Sequence, residues 1–242
     1  MKKTKEDTLF CKFLYKVGRI LFPKRAVEYE EIPEDETAIY VCNHSGALGP
    51  AAMTAWFDRP FRPWSISCLF DKRVAANFIF HDFFFGRSKK HKKFYRFLSK
   101  IVAKFLPPLV YRQNPILVHR NSVKILQTFK ESVATLKQGK NLVIFPESPI
   151  KFSRYISELY DGFIDVARLY YAETGKRLKF YPVYIPADKR IIKIGKPIEY
   201  NIDTKPAEER KAVANYLKEN IDRIARELKP KKVIPFLKEE FY

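Results

Sequence analysis

IYVCNHSGALGP, residues 39–50, sets the reading of the whole chain. Ile39–Cys42 continue an apolar run that begins at Ala38, with none of the alternation of a strand wetted on one face. Asn43 and His44 stand at its end, followed by a small-residue loop closed by Gly49-Pro50. Proline suits the first turn of a helix, where its missing N–H is not needed, and glycine before it suits the N-cap. The stretch therefore predicts a buried strand, a loop and a helix, PAAMTAWF, with His44 at the mouth of the loop and Gly49 as the cap. A histidine base is commonly oriented by an acid, and no Asp or Glu lies between His44 and Pro50.

Outward from this stretch the same grammar recurs. WSISCLF (64–70), PILVHR (115–120), NLVIFPES (141–148), KFYPVYIP (179–186) and RIIKIGKPI (190–198) read as strands. NSVKILQTFKESVATLKQGK (121–140) reads as an amphipathic helix, with Val123, Leu126, Phe129, Val133 and Leu136 on its apolar side and Gly139 at its end. YDGFIDVARLYYAETGK (160–176) is a second helix. A third opens at Thr204 and Pro206, with a stripe of Val213, Leu217, Ile221, Ile224 and Leu228. EYEEIPEDET (28–37) reads as a loop or edge segment. Strands alternating with helices, several of them continuously apolar, indicate an α/β sheet covered on both faces. Ligands bind at the carboxyl ends of strands in such sheets. Asn43-His44, His119-Arg120 and Phe145-Pro146-Glu147 lie there, and Pro182 interrupts a further strand.

Composition bounds the partners. The 242 residues suffice for one large domain, and 46% hydrophobic residues supply its core. A net charge of +19 favours an anionic partner: nucleic acid, anionic lipid or a phosphorylated substrate. No helix-turn-helix, RRM or zinc-finger pattern supports nucleic acid. Cys11, Cys42 and Cys68 form no CxxC and read as reduced thiols of an intracellular protein, although Cys42 could share a face with His44 as a nucleophile pair. His81, His91 and His119 have no metal-ligand spacing, so no metal is expected. No run reaches a membrane span. Residues 1–22 read as an amphipathic interfacial helix, and Val74–Tyr111 mixes aromatic and basic clusters with an apolar run ended by Pro107-Pro108. Either segment is a candidate membrane contact.

These pieces in this order resemble the glycerolipid acyltransferases, the superfamily of glycerol-3-phosphate and lysophosphatidic acid acyltransferases. The family's Asn-His-x4-Asp motif matches Asn43 and His44. Its second motif, ending in Arg, matches ILVHR with Arg120. Phe-Pro-Glu-Gly matches Phe145, Pro146 and Glu147, and the Pro-Val-x-Ile strand matches Pro182, Val183 and Ile185. IIKIGKPI is similar to the Gly-x-Pro-Ile segment that often follows. The resemblance spans about residues 37–200 and implies a mixed, largely parallel central sheet flanked by helices. The implied division is 1–36 interfacial helix and linker, 37–204 acyltransferase-like α/β domain, and 205–242 C-terminal helix and tail packed on it.

By this resemblance the chain is a peripheral enzyme of the inner face of the cell membrane. It moves a fatty acyl group from acyl-CoA or acyl-carrier protein, its donor substrate and not a cofactor, to a lysophospholipid or glycerol-phosphate acceptor. His44 and Glu147 are the implied catalytic residues. Asn43, Ser45, Arg120, Pro146, Ser148, Lys151 and Arg154 are the implied substrate contacts, with Arg120 suited to a phosphate by its planar fork. The aromatic run Phe78–Phe85 is a candidate acyl-groove wall. Three departures stand out: Gly49 replaces the motif acid, Ser148 replaces the third-motif glycine, and Pro149-Ile150 replace the usual Thr-Arg. Because Asp is also favoured at an N-cap, Gly49 would keep the turn while deleting the carboxylate. Glu147, Asp58, Asp71, Asp82 or a backbone carbonyl are the groups that could orient His44 instead. The alternative is an impaired or inactive homologue that binds lipid or acyl chains.

Overall fold

Ile39, Tyr40, Val41 and Cys42 are fully buried, and successive residues enter different cores. Strand pleating sends neighbours to opposite faces. Ile39 and Val41 join Leu142, Ile144 and Phe180 on one side, whereas Tyr40 and Cys42 join Val143, Tyr181 and Val183 on the other. The computed structural model describes residues 23–34, 37–46, 48–81, 91–119, 122–152 and 154–234, with backbone only at 105, 108–109 and 149–152. The N-terminal helix expected over residues 1–22 lies outside the described residues.

In chain order the strands are β1 (Ala26–Tyr29), β2 (Ala38–Cys42), β3 (Phe61–Ile66), β4 (Ile116–Val118), β5 (Asn141–Ile144), β6 (Glu147–Phe152), β7 (Ser157–Leu159), β8 (Lys179–Tyr184), β9 (Ile191–Ile194) and β10 (Ile198–Glu199). The helices are α1 (Leu48–Trp56), α2 (Ala75–Ile79), α3 (Lys92–Tyr111), α4 (Ile125–Lys137), α5 (Asp165–Thr174) and α6 (Pro206–Leu228). The main sheet runs β1-β9-β8-β2-β5-β3-β4, with β10 beside β8, while β6 and β7 form a separate hairpin. β8, β2, β5, β3 and β4 are mutually parallel. β9 and β10 run against β8, and β1 is parallel to β9. The sheet is thus mixed and largely parallel, as the resemblance implies, and covered on both faces, as the alternation of strands and helices predicts.

Side chains of α4, α5 and α6 fill one face, and Ala52 and Met53 of α1 fill the other. Val213, Leu217, Ile221 and Ile224 of α6 are fully buried. At about 1.5–3 kcal/mol per buried aliphatic side chain, this stripe is what fastens α6. Pro206 occupies its first turn with Glu208 and Glu209, where an imino ring and negative charge both suit the helix start.

The structure corrects several expectations. Residues 26–29 form the edge strand β1, of which Glu28 and Tyr29 fall in the stretch 28–37 read as loop or edge; its side chains alternate between exposed and half-buried, as an edge allows. WSISCLF splits, because β3 ends at Ile66 and Ser67–Phe70 form a 3-10 turn. Helix α3 passes through Pro107-Pro108 to Tyr111. A proline inside a helix costs about 3 kcal/mol, and contacts at the helix end offset it. The Phe70 and Tyr111 rings lie 5.7 Å apart, and Thr54 Oγ1 donates to Gln113 at 3.2 Å. Pro182 does not break β8: it falls where the outer neighbour changes from β10 to β9. Val123 and Leu126, expected on the apolar side of α4, are 86% and 62% exposed.

Candidate active site

β2 lies between β8 and β5, so its carboxyl end is flanked by the ends of two parallel strands. Two buried side chains bridge these gaps. Asn43 is 4% exposed. Its Oδ1 accepts the Ile185 N–H at 2.6 Å and its Nδ2 donates to the Ile185 carbonyl at 3.3 Å. Glu147 is 2% exposed and stands just beyond β5. Its Oε1 accepts the main-chain N–H of His44, and its Oε2 accepts that of Ser157 at 3.0 Å. Burial pushes the Glu147 carboxyl above its ordinary pKa, and the main-chain donors of His44 and Ser157 pull it partly back. Asn43, implied as a substrate contact, and Glu147, implied as catalytic, both hold backbone. Pro146 is buried and its carbonyl accepts the Tyr160 N–H at 2.9 Å.

The ring of His44 is held by its own loop. Ser45 and Gly46 adopt φ of +46° and +64°. This left-handed pair turns the chain back so that the Gly46 carbonyl oxygen lies 2.6 Å from His44 Nδ1. A carbonyl only accepts, so in the neutral ring the proton sits on Nδ1 and the basic lone pair on Nε2. Phe145 packs against the imidazole, ring centres 5.5 Å apart. Of the acids that could have oriented the ring, Asp58 accepts the Tyr29 hydroxyl at 2.5 Å and Asp71 accepts the Arg73 N–H at 2.9 Å. Asp82 lies outside the described residues.

Gly49 is more than a missing carboxylate. Helix α1 begins at Leu48, so Gly49 lies in its first turn and not at the N-cap the sequence suggests; its N–H donates to the His44 carbonyl at 3.1 Å. A Cβ there would stand 2.5 Å from the His44 oxygen and 2.7 Å from the Asn43 oxygen. The turn has closed further than any residue with a side chain allows, so Gly49 does not simply preserve an aspartate's turn.

The remaining candidates divide. Ser45 and Ser148 are buried beside the clamp, at 5% and 6% exposure. Arg154 sits after β6, its guanidinium 5.2 Å from the Tyr155 ring centre. With Lys218, Asp222 and Arg226 it lines a cleft of about 610 Å³ against α6. Lys151 is part of β6, described by backbone alone, and Arg120 lies outside the described residues. Cys42 is fully buried in the core beside Tyr40 and Val183, and burial holds its thiol well above its ordinary pKa, the environment of a structural rather than a nucleophilic cysteine. Among the described residues no group of three or more His, Cys, Asp or Glu could hold a metal. Sequence reasoning missed Ser157 and Gly46, and it placed Ile185 on a motif strand without its link to Asn43. Only Gly46 left a signal, as half of a Ser-Gly turn pair.

A sequence profile of the acyltransferase family matches residues 24–186, about two thirds of the chain and the whole of the His44 clamp. The chain belongs to the acyltransferase family. A solved structure similar to this acyltransferase is the 1-acyl-sn-glycerophosphate (LPA) acyltransferase, PlsC, from Thermotoga maritima. It has 18% identity over 92% of this chain and 80% of that one, with a TM-score of 0.48. No curated protein matches the chain. No helix among the described residues of the acyltransferase is long and apolar enough to cross a membrane.

The clamp has a measurable consequence. Glu147→Gln exchanges one carboxylate oxygen for an amide donor that faces a buried main-chain N–H. An unsatisfied buried donor costs about 1–3 kcal/mol, so the denaturant midpoint of this variant falls accordingly.

Proposed function

We propose that this acyltransferase moves a fatty acyl group from an acyl-CoA or acyl-carrier-protein thioester to a hydroxyl of a lysophospholipid or glycerol-phosphate acceptor at a membrane surface, in phospholipid synthesis or remodelling. His44 Nε2 takes the proton of the acceptor hydroxyl as its oxygen attacks the thioester carbonyl. The tetrahedral intermediate then collapses, the C–S bond breaks, and the imidazolium returns the proton to the departing thiolate. The products are an ester and a free thiol. Arg120 is the residue we assign to the acceptor phosphate, because its fork pairs with two oxygens at once.

The observation that carries this reading is the hydrogen bond from His44 Nδ1 to the Gly46 carbonyl, which supplies the orientation an acid would otherwise give. The carbonyl sets the tautomer and, unlike a carboxylate, brings no negative charge of its own to the imidazolium. Purified protein incubated with long-chain acyl-CoA or acyl-carrier protein and a panel of lysophospholipids and glycerol 3-phosphate tests the reading, with thiol release and ester product both measured. Ester formed with at least one acceptor supports it. Lipid bound without any turnover would replace it with the non-catalytic reading.

A further inference from the structure

Helix α3 carries Lys92, Lys93, Arg96, Lys100 and Lys104 and no acidic residue. One side of it packs inward through buried Ser99 and half-buried Tyr95, Val102 and Leu106. Another side is apolar and bare: Phe94, Phe97 and Ile101 are 60%, 63% and 39% exposed. Spacings of three and four residues put these on one stripe about two turns long. Lys93, Lys100 and Lys104 border that stripe at the same helical period. An exposed aromatic stripe edged by cations is the pattern of a helix that lies in a lipid interface.

Its place in the fold fits. Phe70, ahead of α2, meets Tyr111 at the end of α3, while Phe80, just after α2, lies 5.5 Å from the guanidinium of Arg96 near the start of α3. The two helices are therefore antiparallel. Phe94 and Phe97 lie in the first half of α3, the half near the end of α2, and the chain reaches this helix pair from the carboxyl end of β3. Exposed Val123, just before α4, and Leu126, in its first turn, lie beyond the carboxyl end of β4, on the side of the sheet that also carries His44.

We infer that the Phe94, Phe97 and Ile101 face of α3 docks on an anionic lipid bilayer, the aromatic rings entering the acyl boundary and Lys93, Lys100 and Lys104 reaching headgroup phosphates. Charge selects this occupant. Residues 1–22 of the chain are themselves rich in lysine (Lys2, Lys3, Lys5, Lys12, Lys16), and a second copy would bring the same cations to the same face; both would meet it with like charge. The inference deepens the acyl-transfer reading by naming the surface that meets the membrane, and its test reads binding and not turnover.

The test is flotation of the full chain with vesicles of phosphatidylcholine alone or mixed equally with phosphatidylglycerol. Wild type is expected to float with the mixed vesicles only and to be released by high salt. Phe94→Ser/Phe97→Ser lowers that binding about tenfold or more, and Lys93→Gln/Lys100→Gln lowers it roughly thirtyfold. Both variants keep the wild-type melting temperature, since all four positions are exposed. Wild type that does not float, or variants that float undiminished, overturns the inference; the second result would pass the contact to another segment. Sedimentation showing a dimer that Phe94→Ser/Phe97→Ser dissolves would also overturn it, in favour of a second copy. Turnover of a short-chain, water-soluble thioester and acceptor, run alongside, separates the two claims: binding without turnover sinks the acyl-transfer reading alone.

Discussion

His44→Ala lowers the acyl-transfer kcat by about 10³-fold, within the range lost when a general base is removed, and leaves the fold in place. Alanine deletes the Nε2 lone pair that takes the hydroxyl proton. It also deletes the Nδ1 bond to Gly46, but that bond is part-buried and contributes only about 1 kcal/mol. His44→Asn separates the two effects. Its amide can still donate toward the Gly46 carbonyl while offering no base, so it melts near wild type and is as inactive as His44→Ala. Steady-state kinetics with ester product as the readout, beside thermal melts, check both. Activity retained in either variant would mean that His44 has only a structural place.

Gly49→Asp restores the acid of the family motif, and it loses stability and turnover together. The reason is steric. Its Cβ would stand 2.5 Å and 2.7 Å from two main-chain oxygens, those of His44 and Asn43, which the clamp prevents from moving apart freely. Overpacking of this kind costs about 1–3 kcal/mol where neighbours can give; here they are backbone, and a loss of about 3 kcal/mol or more is expected. Gly49→Ala should behave almost identically, because the offending atom is common to both. Urea denaturation of the two variants, with initial rates, checks the pair. A rate for Gly49→Asp well above those of wild type and Gly49→Ala would show instead that the chain merely lacks its acid.

Much of the fold was legible because burial on both sides leaves a plain mark. AIYVC, NLVI and KFYPVY are continuous apolar runs, and all three are strands of the parallel centre. The α6 stripe at Val213, Leu217, Ile221 and Ile224 was equally clear. Edges were not legible. β1 is four residues long and only partly buried, too short for its Ala-Val-Glu-Tyr pattern to mark a strand, and Pro146 and Pro149 on either side of the start of β6 read as the end of one strand rather than the opening of another. The apolar pattern of Val123 and Leu126 was real but does not face the core; periodicity reports amphipathicity, not the partner of the apolar side.

Sequence order was enough to bring residues of the candidate site together, but not to name the groups they bond. Sequence order brought Asn43, His44 and Glu147 to one edge, and there they lie. Their types suggested a base, a substrate contact and a second catalytic group. Only coordinates could show that Asn43 and Glu147 satisfy main-chain groups of Ile185, His44 and Ser157, since those partners are distant in the chain. The orienting group was hidden for a different reason: a backbone carbonyl carries no residue identity. The left-handed Ser45-Gly46 turn was the only local sign of it.

General-base catalysis at this site depends on the tautomer of His44, which long-range ¹H–¹⁵N spectroscopy of ring-labelled protein measures directly. The chain has only His44, His81, His91 and His119, and His44→Asn identifies the signals that belong to the site. The hydrogen bond to the Gly46 carbonyl predicts a neutral ring protonated at Nδ1, with Nε2 unprotonated. A neutral ring protonated at Nε2 would leave no lone pair facing the substrate and would contradict it.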